Sequence, residues 1–463
     1  MSENREYYSG PRGAAEGNAT ARAAPSRSGN TSRVWSETLV TNGLNAACGL
    51  LTGVLVARLL LPEGRGALAL VTYWPQLLAG VGLLSVPAAI VYRRARIRDE
   101  EAASLVSTAF WLVLGLAAML ALLGLPILPR LVDDKQLADL SQLYLIVWLP
   151  VHFVGLTLLA VDHGRQAFRR YNALRLVPQW SYLCLLLVLW AAGHATVSTV
   201  VFASWAGVVL TALVRVALAH RELRVLPRLR HVRPLVRTAL GFHGASLLGI
   251  LALQVDRMVV VSAFDHALIG HYMVALTFAS VGLNVVQGAF TTLLFPKMAA
   301  RSGDAGHRAL LVQTLRYASF LLFSSGLVLV ICAPWVIPAL FGSAFQTAVP
   351  LAQVLVVACV VQALRQTVVV GCRGMHLFAP PVVSEAATVA GTLLVVFFML
   401  EPVGGLSVPL ALLVGNFLGF GYFLLFLSAR LEIGFRDWWG LTPGTALAVL
   451  RRVRSVASAA FGV

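Results

Sequence analysis

Asp256 and Arg257 adjoin inside an apolar run. An ionisable side chain there costs about 2.5–3.5 kcal/mol on insertion scales, so each needs a reason to be present. A buried acid can bind a cation or take up a proton. A guanidinium can grip phosphate oxygens through two parallel hydrogen bonds. The competing account is a pair that neutralises itself or serves helix packing. Arg58 ends an earlier apolar run on the opposite side from most cations, where it would meet Asp256, meet an anionic ligand, or simply anchor the interface. Arg365 and Glu385 lie near the inner ends of two later runs and are expected to pair, with a structural role or, through Glu385 as through Asp256, a share in ion coupling. Neutral polar groups recur in the same runs: Asn42, Asn45, Gln254, Asn284 and Gln287. Asn42 and Asn45 share a helix face, as do Asn284 and Gln287. They suit hydrogen bonds between helices or the lining of a path for a ligand rich in hydroxyls.

Other groups carry less. His152, His163, His243 and His271 have no partner at ligand spacing and read as packing residues. The 5 cysteines form no CxxC pair and fit neither a metal site nor a disulfide frame. No phosphate-cradling Walker pattern appears, so ATP is not the direct drive and no cofactor is implied.

Twelve apolar runs must position these groups: about 34–57, 67–92, 103–127, 141–161, 174–192, 196–214, 239–263, 271–295, 312–332, 348–370, 380–400 and 405–428. About 20 apolar residues cross a bilayer core, so the runs use more than half the chain and leave little for a soluble domain. Charged residues are 12%, against about 25% in soluble domains. The 36 cations sort by side: only Arg58, Arg65, Arg130 and Lys135 fall in outer gaps, and Arg257 lies within a run. The rest fall in every second gap, at the run ends that flank those gaps, or in the two tails, which predicts an even number of crossings with both ends cytoplasmic. That bias, with attraction to anionic lipid, accounts for the net charge of +16. Nucleic-acid binding would need a soluble basic face with stacking or base-reading groups, and none is visible. Pro75, Pro87, Pro150, Pro178 and Pro409 are expected to kink helices.

The chain also looks duplicated. Gly66, Ala69-Leu70 and Pro87 in the first half echo Gly270, Ala275-Leu276 and Pro296 in the second. Asp139 to Phe168 similarly echoes Ala348 to Phe378. Six runs per half give both halves the same orientation, as parallel repeats have. The expected fold class is all-α: a polytopic membrane protein of twelve transmembrane helices in two pseudo-symmetric six-helix lobes. The boundaries expected are a disordered cytoplasmic tail over 1–33, an N-lobe over 34–219, a basic linker over 220–238, a C-lobe over 239–428 and a tail over 429–463. The first tail lacks the apolar core of a cleavable signal peptide. The last carries an interfacial helix near 445–456.

Four segments bear a resemblance to a known family. Arg58-Leu59-Leu60-Leu61-Pro62-Glu63-Gly64-Arg65-Gly66 resembles an Arg-Leu-Leu-Gly-Pro-Glu-x-x-Gly exit from the first span, with Leu61 in place of glycine. Gln254-Val255-Asp256-Arg257 followed by Gly270-His271-Tyr272 and Ala275 resembles an acid in the seventh span and then Gly-x-Tyr-x-x-Ala. Phe295-Pro296-Lys297-Met298-Ala299 resembles the end of the eighth span. Leu340-Phe341-Gly342-Ser343-Ala344-Phe345 with Ala348 resembles an entry to the tenth, with Phe345 in place of tyrosine. The pattern, over about 34–430, is similar to the polysaccharide transporter (Wzx-like) family of lipid-linked oligosaccharide flippases, within the multidrug/oligosaccharidyl-lipid/polysaccharide exporter superfamily. The resemblance implies two rocking lobes that carry a polyprenyl-diphosphate oligosaccharide across the inner membrane, and no enzyme activity. It implies membrane lipid, the lipid-linked oligosaccharide and a coupling H⁺ or Na⁺ as partners, with a polysaccharide polymerase and glycosyltransferases nearby. The alternatives are a cation-coupled multidrug exporter of the sister branch and, further off, a polytopic glycosyltransferase or polymerase, which would want a large outer loop.

Overall fold

The computed structural model describes residues 28–94, 97, 99–299, 303–448 and 451. In chain order the helices are α1 (Ser28–Gly82), α2 (Val86–Arg94), α3 (Asp99–Gly124), α4 (Leu128–Leu131), α5 (Lys135–Gly164), α6 (Phe168–Ala192), α7 (Val197–Leu218) and α8 (His220–Leu223). Then come α9 (Leu229–Ala252), α10 (Val255–Ala263), α11 (His266–Ala299), α12 (Asp304–Phe341), α13 (Ala348–Gly374), α14 (Ala379–Val403), α15 (Ser407–Leu431) and α16 (Phe435–Trp438). Among the described residues there is no strand. The all-α class is therefore correct. Helix α1 already begins at Ser28, inside the expected tail; residues 1–27 and most of the expected interfacial helix lie outside the described residues.

Among the described residues, 9 helices are long and apolar enough to cross a membrane, or 10 with the bent α9 segments taken as one span. Two of the nine, Val40–Arg94 and Ala379–Leu431, run to 55 and 53 residues, more than twice what one crossing needs. Both are broken inside. The first breaks at Leu61, with φ 57 and ψ −179, and the next residue, Pro62, has no N–H to continue the ladder. The second breaks at Gly404, φ 59. Of the expected kinks, Pro75, Pro150 and Pro178 do lie inside helices. Pro87 and Pro409 instead sit in the first turns of α2 and α15, where a missing N–H costs little.

Apolar side chains collect into two cores. One joins Val56, Val113, Phe153, Leu186 and Val201 through to Ala239. The other joins Val260, Tyr272, Leu315, Phe345, Leu364 and Phe423 through to Trp438, and borrows Ala57, Ala69, Leu70 and Tyr73 from α1. In lipid, helices associate through close packing of small residues, and α14 and α15 do so here. A Cβ on Gly415 would lie 2.2 Å from Thr392 Oγ1, and one on Gly419 would lie 2.2 Å from Thr388 Oγ1. The Gly415-x-x-x-Gly419 face therefore holds α15 against α14.

The repeat-related glycines meet. A Cβ on Gly66 would stand 1.7 Å from the His266 carbonyl oxygen, and one on Gly270 would stand 1.9 Å from that of Pro62. Each lets the other half's turn approach to backbone contact. Arg58 ties the same end, donating from Nε to the Leu340 carbonyl at 2.7 Å and from Nη2 to that of Ala339 at 2.6 Å.

Candidate functional site

Between the halves lies a cavity of about 350 Å³. Arg65, Ala69, Thr72, Tyr73 and Gln76 line it from α1. Their spacing of four, three, one and three is one face of a helix, so the segment after the Leu61 break presents a polar stripe. Gln254 and Arg257 face it from the other half. Tyr73 crosses between the halves, donating its hydroxyl to the Gln254 carbonyl at 2.9 Å. That carbonyl sits at the interruption between α9 and α10, where Gln254 leaves helical geometry at φ −125, ψ −10. Arg257 Nη1 donates to Gln254 Oε1 at 3.1 Å. Both Arg65 Nε and Arg257 Nε are buried without a hydrogen-bond partner. A cavity with two under-satisfied guanidinium groups favours an anion with several oxygens.

A second cavity of about 360 Å³ adjoins it, with Gln254, Arg257, Leu276 and Ser280 in both walls. Its lining holds Asp256, Asn284, Gln287, Gln362 and Gln366. Asp256 is 3% exposed and accepts a hydrogen bond from the Tyr272 hydroxyl at 2.6 Å. The acid and the Gly-x-Tyr element of the sequence pattern are thus one unit in space; of the alternatives open for Arg58, a pairing with Asp256 is not the one that forms. Glu385 stands behind this wall: it pairs with Arg365, as expected, and accepts from Gln366 Nε2 at 3.0 Å. Arg365 is fully buried and also donates to Asn416 Oδ1 at 3.3 Å.

The structure thus gathers Gln254, Asp256, Arg257, Asn284 and Gln287 around adjoining cavities, with Glu385 one residue behind. It does not bring Arg58 there. Asn42 and Asn45 face a different cavity within the first half: Asn45 lines it, and Asn42 accepts from Arg175, another lining residue, at 3.2 Å. Reading by charge alone misses Arg65 and Arg215. Counting charges by gap puts Arg65 in an outer gap and Arg215 in the inner gap after the sixth run, yet the first lines the cavity between the halves and the second is buried in α7. The helix-face spacing from Arg65 to Gln76 is the signal that would have found the first.

Long apolar helices, two cores and polar cavities at and beside their junction are the construction of a membrane transporter. The chain belongs to the polysaccharide biosynthesis protein family, whose model matches residues 55–350. It is 27% identical over 272 residues to the succinoglycan biosynthesis transport protein ExoT of Rhizobium meliloti (strain 1021), a match covering 56% of this chain and 52% of that protein. The chain therefore spans about half the length of that curated relative. Among solved structures it is similar to the lipid II flippase MurJ in an inward closed conformation, with TM-score 0.71, 14% identity and coverage of 87% of this chain and 88% of that one. It is also similar to an inward-facing multidrug resistance MATE family transporter of the MOP superfamily, with TM-score 0.69, 16% identity and coverage of 84% and 94%. These relatives are named as transport proteins and a flippase, in line with the expectation of a transporter over an enzyme.

Proposed function

We propose that this chain is an alternating-access flippase that moves a lipid-linked oligosaccharide, joined through a diphosphate to a polyprenyl tail, across the inner membrane for surface polysaccharide synthesis. The observation that carries the reading is the cavity between the halves, where Arg65 and Arg257 each keep a buried Nε unpartnered beside the neutral donors Gln76 and Gln254. Fixed guanidinium groups suit a diphosphate, and the surrounding amides and hydroxyls suit sugar. Asp256 beside Arg257, with Glu385 behind, is the coupling path for an inward-moving cation. Two crossings in each long broken helix, with the bent α9 segments taken as one further span, support the reading of twelve spans in two lobes, 34–219 and 239–428, with both termini cytoplasmic. The Gly66–Gly270 approach, with Arg58 on the α12 carbonyls, then closes the outer end of the path.

The test uses protein in liposomes with a fluorescent polyprenyl-diphosphate oligosaccharide. Arg257→Gln and Arg65→Gln are each expected to slow translocation at least about tenfold, the loss of a charge-assisted contact, with the protein still monodisperse. Asp256→Asn is expected to remove dependence on the ion gradient. Unchanged translocation in both arginine variants rejects the site. Efflux of cationic drugs with no lipid movement would support the multidrug alternative instead.

A further inference from the structure

Within the first half lies a third cavity, of about 430 Å³, that the path above does not use. Asn45, Trp148, His152, Gly155, Arg175, Gln179, Thr211 and Arg215 line it. Among the described residues its wall holds no Asp or Glu.

Two cations face this space. Arg215 is 6% exposed. Its Nη1 donates to the Gly155 carbonyl at 2.5 Å and its Nη2 to the Leu174 carbonyl at 2.9 Å. The latter carbonyl is free because the residue four further on is Pro178, which has no N–H to offer it. Gly155 gives the guanidinium room, since a Cβ there would stand 3.2 Å from Nη1. Arg215 Nε remains buried without a partner. Asp162, the acid nearby in charge terms, is held by Arg170 at 3.2 Å. Arg175 lies with its guanidinium carbon 5.4 Å from the centre of the Tyr171 ring and donates from Nη2 to the neutral Asn42 at 3.2 Å. Asn45 Oδ1, also in this wall, is buried and unpartnered.

Beside the cations stands an aromatic ladder on one face of α5. Tyr144 stacks on Trp148 with centroids 5.2 Å apart, and Trp148 stacks on His152 at 4.2 Å. The ladder's far end touches the cavity between the halves, because Gln76 donates to the Tyr144 hydroxyl at 3.3 Å. Ring edges along this ladder, two cations with no acid in the described wall, and neutral amides together suit a ring that carries a negative charge, more than a bare phosphate, which would use only the cations.

We propose that this cavity is a second subsite, which takes a carboxylate-bearing sugar of the transported head group. Arg175 and Arg215 Nε hold the carboxylate, the ring lies along Trp148 and His152, and Asn45 and Gln179 meet its hydroxyls. The proposal rests on the saccharide reading of the protein but assigns a residue set separate from Arg65 and Arg257.

The experiment measures binding to full-length protein in nanodiscs of zwitterionic lipid. The probes are a lipid-free trisaccharide with one glucuronate, the matched neutral trisaccharide, and inorganic pyrophosphate. The acidic trisaccharide is expected to bind about tenfold more tightly than the neutral one. Arg175→Gln should erase that preference, Arg175→Lys should restore most of it, and Arg257→Gln should leave it in place. No preference for the acidic probe, or a preference that survives Arg175→Gln, overturns the subsite, as does its equal loss in Arg257→Gln. Loss of sugar binding when anionic lipid is added also overturns it, since the cavity would then hold a headgroup. Pyrophosphate reports on the other reading: if it fails to bind while the Arg175-dependent preference holds, the diphosphate site fails and this subsite stands.

Discussion

Arg215 and Arg365 are both arginines buried in helices of the membrane core, one in each half, and they are satisfied in opposite ways. Arg365 faces a carboxylate, Glu385, and also donates to Asn416, while its Nη2 stays buried without a partner. Arg215, among the described residues, donates to two backbone carbonyls, one of them released by Pro178. The contrast extends to the cavities: the wall beside α11 and α13 contains Asp256, whereas the described wall around Arg215 contains no acid. Two halves with similar helices have thus divided the charge. In the second half a buried arginine meets a carboxylate; in the first it meets backbone carbonyls, and no acid lies in the described cavity wall beside it. Long apolar helices supply the scaffold of both halves, and the buried polar residues carry the difference.

Removing each arginine separates the two cases. Arg365→Ala leaves a buried carboxylate without its counter-charge, which costs about 3–5 kcal/mol when one partner of a buried pair is lost. The expected outcome is a large fall in unfolding temperature in detergent, with much of it recovered in the Arg365→Met, Glu385→Gln double variant. Arg215→Met leaves no orphan charge, only carbonyls short of a donor, and should cost about 1–3 kcal/mol. Equal losses in the two single variants would show that the carbonyl cage holds Arg215 as firmly as an ion pair and would erase the distinction drawn between the halves.

The repeat-related breaks sharpen the same comparison. In the second half the chain turns at Phe264 with extended backbone, φ −127 and ψ 163. In the first it turns at Leu61 with φ 57 and ψ −179, a region that glycine alone enters freely and that costs other residues about 1–3 kcal/mol. Glycine is the residue that the resembling pattern has at this position. Leu61→Gly should therefore raise the unfolding temperature, and Phe264→Gly should lower it slightly through chain entropy. A neutral or destabilising Leu61→Gly would mean that the exposed Leu61 side chain contributes more by contact with lipid than the backbone loses.

Much of this was legible in the residues. Long apolar runs separated by sorted cations can only be membrane helices, and the Arg365–Glu385 pair follows from two opposite charges at matching depth. Gln254, Asp256, Arg257, Asn284 and Gln287 were found because polar groups in hydrocarbon are rare enough to stand out. What the sequence hides is depth and facing. Arg65 and Arg215 sit where an apolar run ends, and counting charges by gap puts both in water. The helical continuation past Leu61 turns Arg65 inward, and the Gly155 carbonyl together with the Leu174 carbonyl freed by Pro178 draws Arg215 into the wall. Arg58 errs in the other direction: its charge suggested a ligand contact, but the nearest acceptors are the carbonyls that end α12. His152 looked ordinary because aromatic stacking at i and i+4 needs no partner at metal spacing.

The smallest effect is expected where Arg165 at the end of α5 meets Glu222 of α8 at 2.6 Å. Burial pushes the Glu222 carboxyl up, but the Arg165 hydrogen bond, its own backbone N–H and the charges of Arg165 and Arg170 outweigh that, and the group is held below its ordinary value. A depressed acid stabilises the fold above its unfolded value of about 4.3, and that stability is lost as pH falls through the lower folded value. With both side chains partly solvated the contribution is below about 1 kcal/mol. Glu222→Gln should therefore match the unfolding temperature of the unsubstituted protein near pH 3 and fall slightly behind it at pH 6 and above. Because this contact fastens α8 to the first half, the gap should persist in Arg365→Ala. A gap that closes in that background would mean that the two halves do not respond to their charges independently.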